Sequence, residues 1–516
     1  MIEGVTTRID GLLGRITTFR VVIAALSLLA AVSVVLGFLG ITAFRGLEQL
    51  ASLAVCMIVA HAVNAVACRI ARVSPNTAST TITALLLFFI LPPDLDPVRL
   101  GLTAVAAAVA AASKYLIAVR GRHLLNPAAA GAFVVSVLGL GPAIWWIATP
   151  VMLPLVALGA LVVLYRVRHL LVGLVAIAVG AAILVARYLL SGSDPGAAIA
   201  IAIGSTPLVF LAGFMLSEPL TLPPRRWQQL IVAAVVGALF AVPFSTGSLP
   251  IGPLALGPIS STPEFALVVG NLLAFLFGQR RAIRLRLTAK RRLTPTSWEF
   301  ELRPLVPVRF AAGQFIELAL PHRGTDAKGS RRAFSIASAD AESIRLGVRS
   351  TEPVSSFKRQ LLALEPGAVL TATSVGGDFV LPRDPDTPLL LVAGGIGITP
   401  FIGHLDALSG GAEEHDVVVV YAVSSNAELA YLPELERSGA AVVIASPERP
   451  GPELLRPGWR WIGPGRLTGA AVMEAVPDAT RRVAYVSGPP SMVGTLRTAL
   501  RRAGVRRVRS DVFLGY

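Results

Sequence analysis

The chain has 516 residues, enough for two to four domains; 54% are hydrophobic and 15% charged, against roughly a quarter charged in a soluble protein. The net charge of +15 is uneven, with 15 basic and 8 acidic residues in 1–278 and 31 and 23 in 279–516. No basic stripe interleaved with aromatics accompanies it, which argues against a nucleic-acid partner, and two cysteines, Cys56 and Cys68, exclude a disulfide scaffold and a cysteine-ligated iron–sulfur cluster.

The N-terminus reads as uncleaved, because polar sequence carrying Arg8, Arg15 and Arg20 precedes the first apolar run. Apolar runs then recur at 19–40, 50–67, 79–91, 100–119, 127–141, 144–164, 170–190, 198–217, 228–245 and 263–278. They predict a polytopic α-helical membrane domain of about ten transmembrane helices over 1–279, with 79–91 and 127–141 short enough to be broken or re-entrant. With the N-terminus in the cytoplasm, twelve Lys and Arg fall inside and only Arg45, Arg99 and Arg187 outside. The expected protein is integral to the cell membrane, multi-pass, with both termini cytoplasmic. Of the histidines only His61 lies within a span, so the paired axial ligands of a transmembrane haem are not expected. Two acids, Glu218 and Glu264, lie near helix ends without an obvious relay partner in sequence, so ion pumping is not implied.

Polar-plus-proline motifs interrupt the runs: Ser79-Thr80-Thr81 leading to Leu91-Pro92-Pro93, Leu125-Asn126-Pro127-Ala128-Ala129-Ala130-Gly131, and Phe214-Met215-Leu216-Ser217-Glu218-Pro219-Leu220-Thr221-Leu222-Pro223. In this order, over about residues 75–225, they resemble the Rnf D and Nqr B family of flavin-bearing, quinone-linked membrane subunits. That resemblance implies FMN held through a phosphoester to a threonine. The family's Ser-Gly-Ala-Thr motif is missing here, and the nearest candidates are Thr206, in Gly204-Ser205-Thr206-Pro207, and Thr149, in Ala148-Thr149-Pro150. Each also reads as a helix-start threonine beside proline.

From Arg284 the pattern changes to short strands, at Trp298–Leu302, Gln314–Leu320, Ala333–Ala337, Ile344–Val348 and Val369–Ser374, which predict an antiparallel β-barrel over 284–384. The segment Arg331-Arg332-Ala333-Phe334-Ser335 offers a cation, an aromatic face and a small donor along one strand. Ser355 or Ser356 caps a following helix whose free N–H groups suit a phosphate. From 385 to 516 strands alternate with helices, predicting an α/β parallel-sheet domain. It carries two glycine elements, each after an apolar strand and before a helix. They are Gly394-Gly395-Ile396-Gly397-Ile398-Thr399-Pro400 and Ser487-Gly488-Pro489-Pro490.

Together with the terminal Asp511-Val512-Phe513-Leu514-Gly515-Tyr516, these motifs resemble the ferredoxin–NADP reductase superfamily over about 284–516. The resemblance implies FAD, with NADH or NADPH as hydride donor. By it, Arg332 holds the FAD pyrophosphate, Phe334 stacks on the isoalloxazine and Ser335 bonds near its N5. Gly376 and Gly377 lie against the flavin, and Tyr516 or Phe513 covers the other face. Gly394, Gly395, Gly397, Thr399, Pro400, Gly488 and Pro489 hold the dinucleotide. Ser487 replaces the family's cysteine beside the nicotinamide, which implies slower turnover, and Phe334 replaces a tyrosine. No Arg closely follows Ser424 and Ser425 to meet a 2′-phosphate, which leans towards NADH.

The expected activity is a membrane-bound flavoprotein oxidoreductase passing electrons from NAD(P)H through FAD to a second flavin, a quinone or a partner protein. Its rivals are a transporter or anchor with a redox-sensing flavin domain, and a haem-type transmembrane reductase.

Overall fold

The computed structural model describes residues 17–71, 76–119, 122–246, 249–251, 254–256, 259–277, 283–322, 324, 326, 329–382, 384, 386–409, 415–464 and 467–513. The chain divides into two compact units, one over Ile16–Arg281 and one that contains Ala282–Tyr516.

The first unit is helical. Among the described residues three helices, Thr18–Phe38, Gly46–Ala71 and Leu170–Leu190, are long and apolar enough to cross a bilayer. A fourth span arises if Pro195–Gly204 and Leu208–Met215, bent by 45°, are counted as one. The expectation of about ten spans is thereby corrected. Proline and polar residues cut the remaining runs into shorter helices, Thr77–Ile90, Pro127–Val137, Leu153–Val167, Arg226–Ala241 and Pro263–Leu276, while Pro97–Leu116 is alanine-rich and carries Arg99 and Lys114. Small residues let these helices approach closely. A Cβ on Gly131 would lie 2.5 Å from the Ala106 carbonyl oxygen, and one on Gly237 2.5 Å from that of Ala176.

Two of the proline motifs meet. Asn126 caps Pro127–Val137 by accepting from the Ala128 and Ala129 N–H groups, and its own N–H donates to Asn271 Oδ1 at 2.7 Å. Its Nδ2 donates to Glu218 Oε2 at 3.0 Å, and Glu218 Oε1 lies 3.0 Å from His123 Nε2. Glu264, fully buried, accepts from Trp145 Nε1 at 2.9 Å and from Ser136 Oγ at 3.3 Å. Both acids thus have partners that sequence did not reveal. His61 Nε2 lies 3.1 Å from Thr81 Oγ1.

The second unit begins with an antiparallel half-barrel. Its strands are β1 (Ile283–Arg292), β2 (Ser297–Pro304), β3 (Phe315–Ala319), β4 (Arg331–Ser335), β5 (Ile344–Arg349) and β6 (Val369–Gly376), in the order β4-β3-β6-β1-β2-β5. A bridge between Ile336 and Leu346 brings the two edges together. Alternation along β1 and β2 turns Ile283, Leu285, Leu287, Phe300 and Leu302 into the barrel core. A parallel sheet follows: β7 (Leu389–Gly394), β8 (Val417–Ala422), β9 (Ala441–Ala445), β10 (Arg460–Trp461), β11 (Val483–Gly488) and β12 (Val508–Val512), in the order β10-β9-β8-β7-β11-β12. β7 is buried at every residue, as a central strand covered on both faces must be. The order reverses between β7 and β11, which opens a crevice at their carboxyl ends.

Candidate active site

The two glycine elements cross at that switch point. After β7, Gly395 takes φ +55° and a tight turn over Gly395–Ile398 leads into the helix Thr399–Ser409. A Cβ on Gly397 would lie 2.7 Å from both Gly488 Cα and the Ser487 carbonyl oxygen, and Gly488 itself has φ +150°. Only hydrogen fits at this contact. Beside it opens a cavity of about 270 Å³ lined by Gly394, Gly395, Ile396, Ser424, Glu428 and Pro489, with Arg349 reaching in from the end of β5.

Two buried polar atoms here lack a hydrogen-bond partner among the described residues, Ser487 Oγ and Arg349 Nε. A buried hydroxyl and a guanidinium N–H left unpaired are costly unless something else bonds them. A cavity floored by bare backbone, flanked by those donors and by a helix start, fits the diphosphate and amide groups of a nicotinamide dinucleotide. Thr399 Oγ1 donates to the Ile396 carbonyl at 3.0 Å and thereby closes the turn, with Pro400 buried behind it. The Phe513 N–H donates to the Gly488 carbonyl at 2.9 Å and holds the residue after β12 at the crossing; Tyr516 lies outside the described residues.

The barrel's expected flavin residues divide along the strand. Arg332 and Phe334 share one side of β4: the guanidinium carbon lies 5.2 Å from the Phe357 ring centre, and the Phe334 and Phe357 rings are 5.9 Å apart. Phe334 is 9% exposed and packs in the barrel core. Ser335 Oγ donates to Asp511 Oδ2 at 3.3 Å, and Asp511 pairs in register with Ser487. The structure thus joins Ser335 to Asp511, whose neighbour across the sheet is Ser487.

Ser355 caps the helix Ser356–Leu362 by accepting from the Lys358 N–H. The Ser356 N–H donates to Asp326 Oδ2 at 2.9 Å, and Arg332 Nη2 lies 3.4 Å from Asp326 Oδ1. The donors expected for a pyrophosphate therefore hold a carboxylate, and a pair of anionic oxygens is the chemistry they fit. Gly377, at φ +112°, accepts from Gln314 Nε2 at 3.1 Å and follows Gly376, which pairs with Phe315.

Behind the site His404 is fully buried among Phe379, Phe401 and Tyr485, with Nε2 2.8 Å from the Phe379 carbonyl. Burial pushes its pKa down to about 4. Sequence reading missed His404, Arg349 and Glu428; the basic residue closing the alternating strand Ile344–Arg349 was the available signal for one of them.

In the helical unit Thr149 and Thr206 do come together, but around a space of about 10 Å³. Thr206 Oγ1 donates to the Ala202 carbonyl, and Thr149 Oγ1 accepts from the Met152 N–H at 3.4 Å. That space takes at most a water, so this arrangement does not fit a flavin ring.

Barrel, parallel sheet and crossed glycine turns define an FAD- and NAD(P)-binding oxidoreductase. The family profile described as an oxidoreductase NAD-binding domain matches residues 391–498. Over 220 residues the chain is 34% identical to ferredoxin–NADP reductase B of Sorangium cellulosum, covering 41% of this chain and 84% of that protein. It is 29% identical to the reductase subunit of an aromatic O-demethylase from Amycolatopsis, covering 40% of this chain and 62% of that one. It is 28% identical to the electron transfer component of toluate 1,2-dioxygenase from Pseudomonas putida, covering 38% and 56%. The chain thus spans less than two thirds of the latter two. A crystal structure of an Amycolatopsis cytochrome P450 reductase aligns at TM-score 0.40 and 25% identity, over 46% of this chain and 70% of that one. Through its second unit, the chain belongs to the ferredoxin–NADP reductase family.

Proposed function

We propose that this protein is a membrane-bound flavoprotein reductase, integral to the cell membrane with its reductase unit in the cytoplasm, that carries electrons from NAD(P)H through FAD to a membrane-associated acceptor. The observation that carries the reading is the crossing of Gly397 and Gly488 beside the cavity, where two backbones meet without side chains next to unpaired donors. Bound FAD would supply the hydride acceptor and the single-electron donor that the reaction needs. The chain's own residues bind and orient. The turn at Gly394–Gly397 and the start of Thr399–Ser409 would receive the dinucleotide's diphosphate, with Arg349 supplying positive charge. Ser487 Oγ, buried without a partner among the described residues, would meet the nicotinamide, and the Ser335–Asp511 hydrogen bond ties barrel to sheet. Arg332 and the Ser356 N–H, which hold the Asp326 carboxylate here, would hold the flavin's pyrophosphate.

Three long apolar helices and the inside bias of Lys and Arg support the membrane assignment. The relatives include reductase components of oxygenase systems, which supports a partner protein as acceptor; the Rnf D/Nqr B resemblance of the first unit supports a quinone or second flavin. Thr149 and Thr206 as arranged do not receive that second flavin. The test uses the full chain in lipid nanodiscs, loaded with FAD and mixed with NADH under argon. Bleaching of the flavin, followed by reoxidation on adding a lipid-soluble quinone or a ferredoxin-type protein, is expected. A flavin that bleaches but is reoxidised by neither would replace this reading with a redox-sensing anchor. A haem α band in the reduced-minus-oxidised spectrum would replace it with a haem-type reductase.

A further inference from the structure

We infer that the arginine-rich end of the parallel sheet, opposite the active site, docks on anionic lipid headgroups. The inference rests on the membrane reading above. Residues 479–510 contain eight Arg and no Asp, Glu or Lys. Two of these are committed within the fold. Arg482 is buried and clamps Asp416 and Asp478, each at 2.7 Å. Arg509 donates to the Val380 carbonyl and lies over the Tyr485 ring. The other six, Arg481, Arg497, Arg501, Arg502, Arg506 and Arg507, are exposed, and none has a carboxylate within ion-pair distance among the described residues.

Topology gathers them. The helix Pro490–Arg502 starts at the glycine crossing and runs away from it, with Arg497 and Arg501 one turn apart on one face. The turn at its end returns the chain to β12, and the Ala484 N–H donates to the Arg507 carbonyl, which fixes that turn at the amino end of β11. Five residue steps of β11 separate Val483 from Gly488, a distance of roughly 17 Å. Thirteen helical residues give a similar figure, about 20 Å.

That distance decides between partners. A protein that accepts electrons must approach the flavin at the other end of the sheet, so charge placed here would hold it out of reach. A nucleic acid would find phosphate contacts but no exposed ring to stack on, since Tyr485, the one aromatic in 479–510, is buried. A headgroup layer needs only a dense, unpaired, exposed positive patch, and a reductase unit on the same chain as bilayer-spanning helices meets that layer at high effective concentration.

The test exploits the burial of both native cysteines, Cys56 and Cys68, which leaves an introduced thiol to be labelled selectively. The full chain carrying Ala503→Cys, with an environment-sensitive dye on that thiol, is placed in nanodiscs containing a headgroup-quenching lipid. At low salt, quenching should be at least about fivefold stronger with anionic than with neutral lipid, and should fade at high ionic strength. Replacing Arg501, Arg502, Arg506 and Arg507 together by Glu should abolish the difference while NADH still bleaches the flavin. If that variant fails to fold, the four Gln replacements serve. Equal quenching in neutral and anionic discs, or quenching indifferent to salt, would overturn the inference while the membrane reading stands. Failure of the unmodified chain to integrate into neutral discs would overturn both. A dye response to duplex DNA without one to anionic discs would assign the patch to nucleic acid instead.

Discussion

In the helical unit, hydrogen at Gly131 and Gly237 lets helices touch backbone to backbone, and at Gly213 it admits the Ala160 methyl, whose carbon would lie 2.2 Å from an added Cβ. In the reductase unit, hydrogen at Gly397 and Gly488 lets two turns touch in the same way. The outcomes differ. The contact between turns lies beside a cavity of about 270 Å³ with unpaired donors, whereas the threonine pair expected to hold a flavin among the helices encloses about 10 Å³. Close approach alone therefore does not make a site. The space left beside it, and polar groups that only a ligand completes, do.

The largest expected effect tests that distinction. Gly397→Val drives a side chain into Gly488 and Ser487, and should slow NADH bleaching of the flavin by at least roughly 100-fold. The flavin content of the purified chain and the thermal unfolding of its helical unit should stay unchanged. Glu264→Ala makes the converse break. It leaves the buried Trp145 Nε1 without its acceptor and opens a void, costing about 2–4 kcal/mol in the thermal stability of detergent-solubilised protein. Glu264→Gln, which keeps an acceptor, should cost less, and both variants should bleach at the normal rate.

A smaller effect separates the units by pH. His404 titrates at about 4 when folded and at 6.5 when exposed, so between these values the unfolded chain binds the extra proton. Its contribution is complete above pH 6.5 and is lost as pH falls towards 4, at up to about 1.4 kcal/mol per pH unit. The melting temperature of the reductase unit should fall over that window, and His404→Gln should flatten the fall. Smallest of all, Thr206→Ala removes only its bond to the Ala202 carbonyl. A cost of about 1 kcal/mol or less is expected, with no loss of flavin after acid precipitation.

The reductase unit was largely legible in sequence because its signals are local. Val417–Ala422 and Ala441–Ala445 form strands as their β-branched runs dictate, and the glycine elements stand where strand gives way to helix. The first barrel strand, Ile283–Arg292, escaped notice because its apolar residues alternate with Arg and Lys and leave no apolar run. Phe334 reads as a flavin-stacking ring from its motif, yet only packing shows that it lies in the core against Phe357. The helical unit was less legible. Hydropathy marks apolar stretches but not where Pro207 bends one of them or where Ala241 ends another. The partners of Glu218 and Glu264 come from segments 92 to 128 residues distant, which no local pattern reveals.

The most direct test of the central claim is the anaerobic reduction of the FAD-loaded full chain by NADH and by NADH deuterated at the transferred position. Complete bleaching, slower by a primary isotope effect with the deuterated donor and lost in Gly397→Val, is the result the account predicts. A flavin that remains oxidised under excess NADH and NADPH, in protein that retains its FAD, would contradict it.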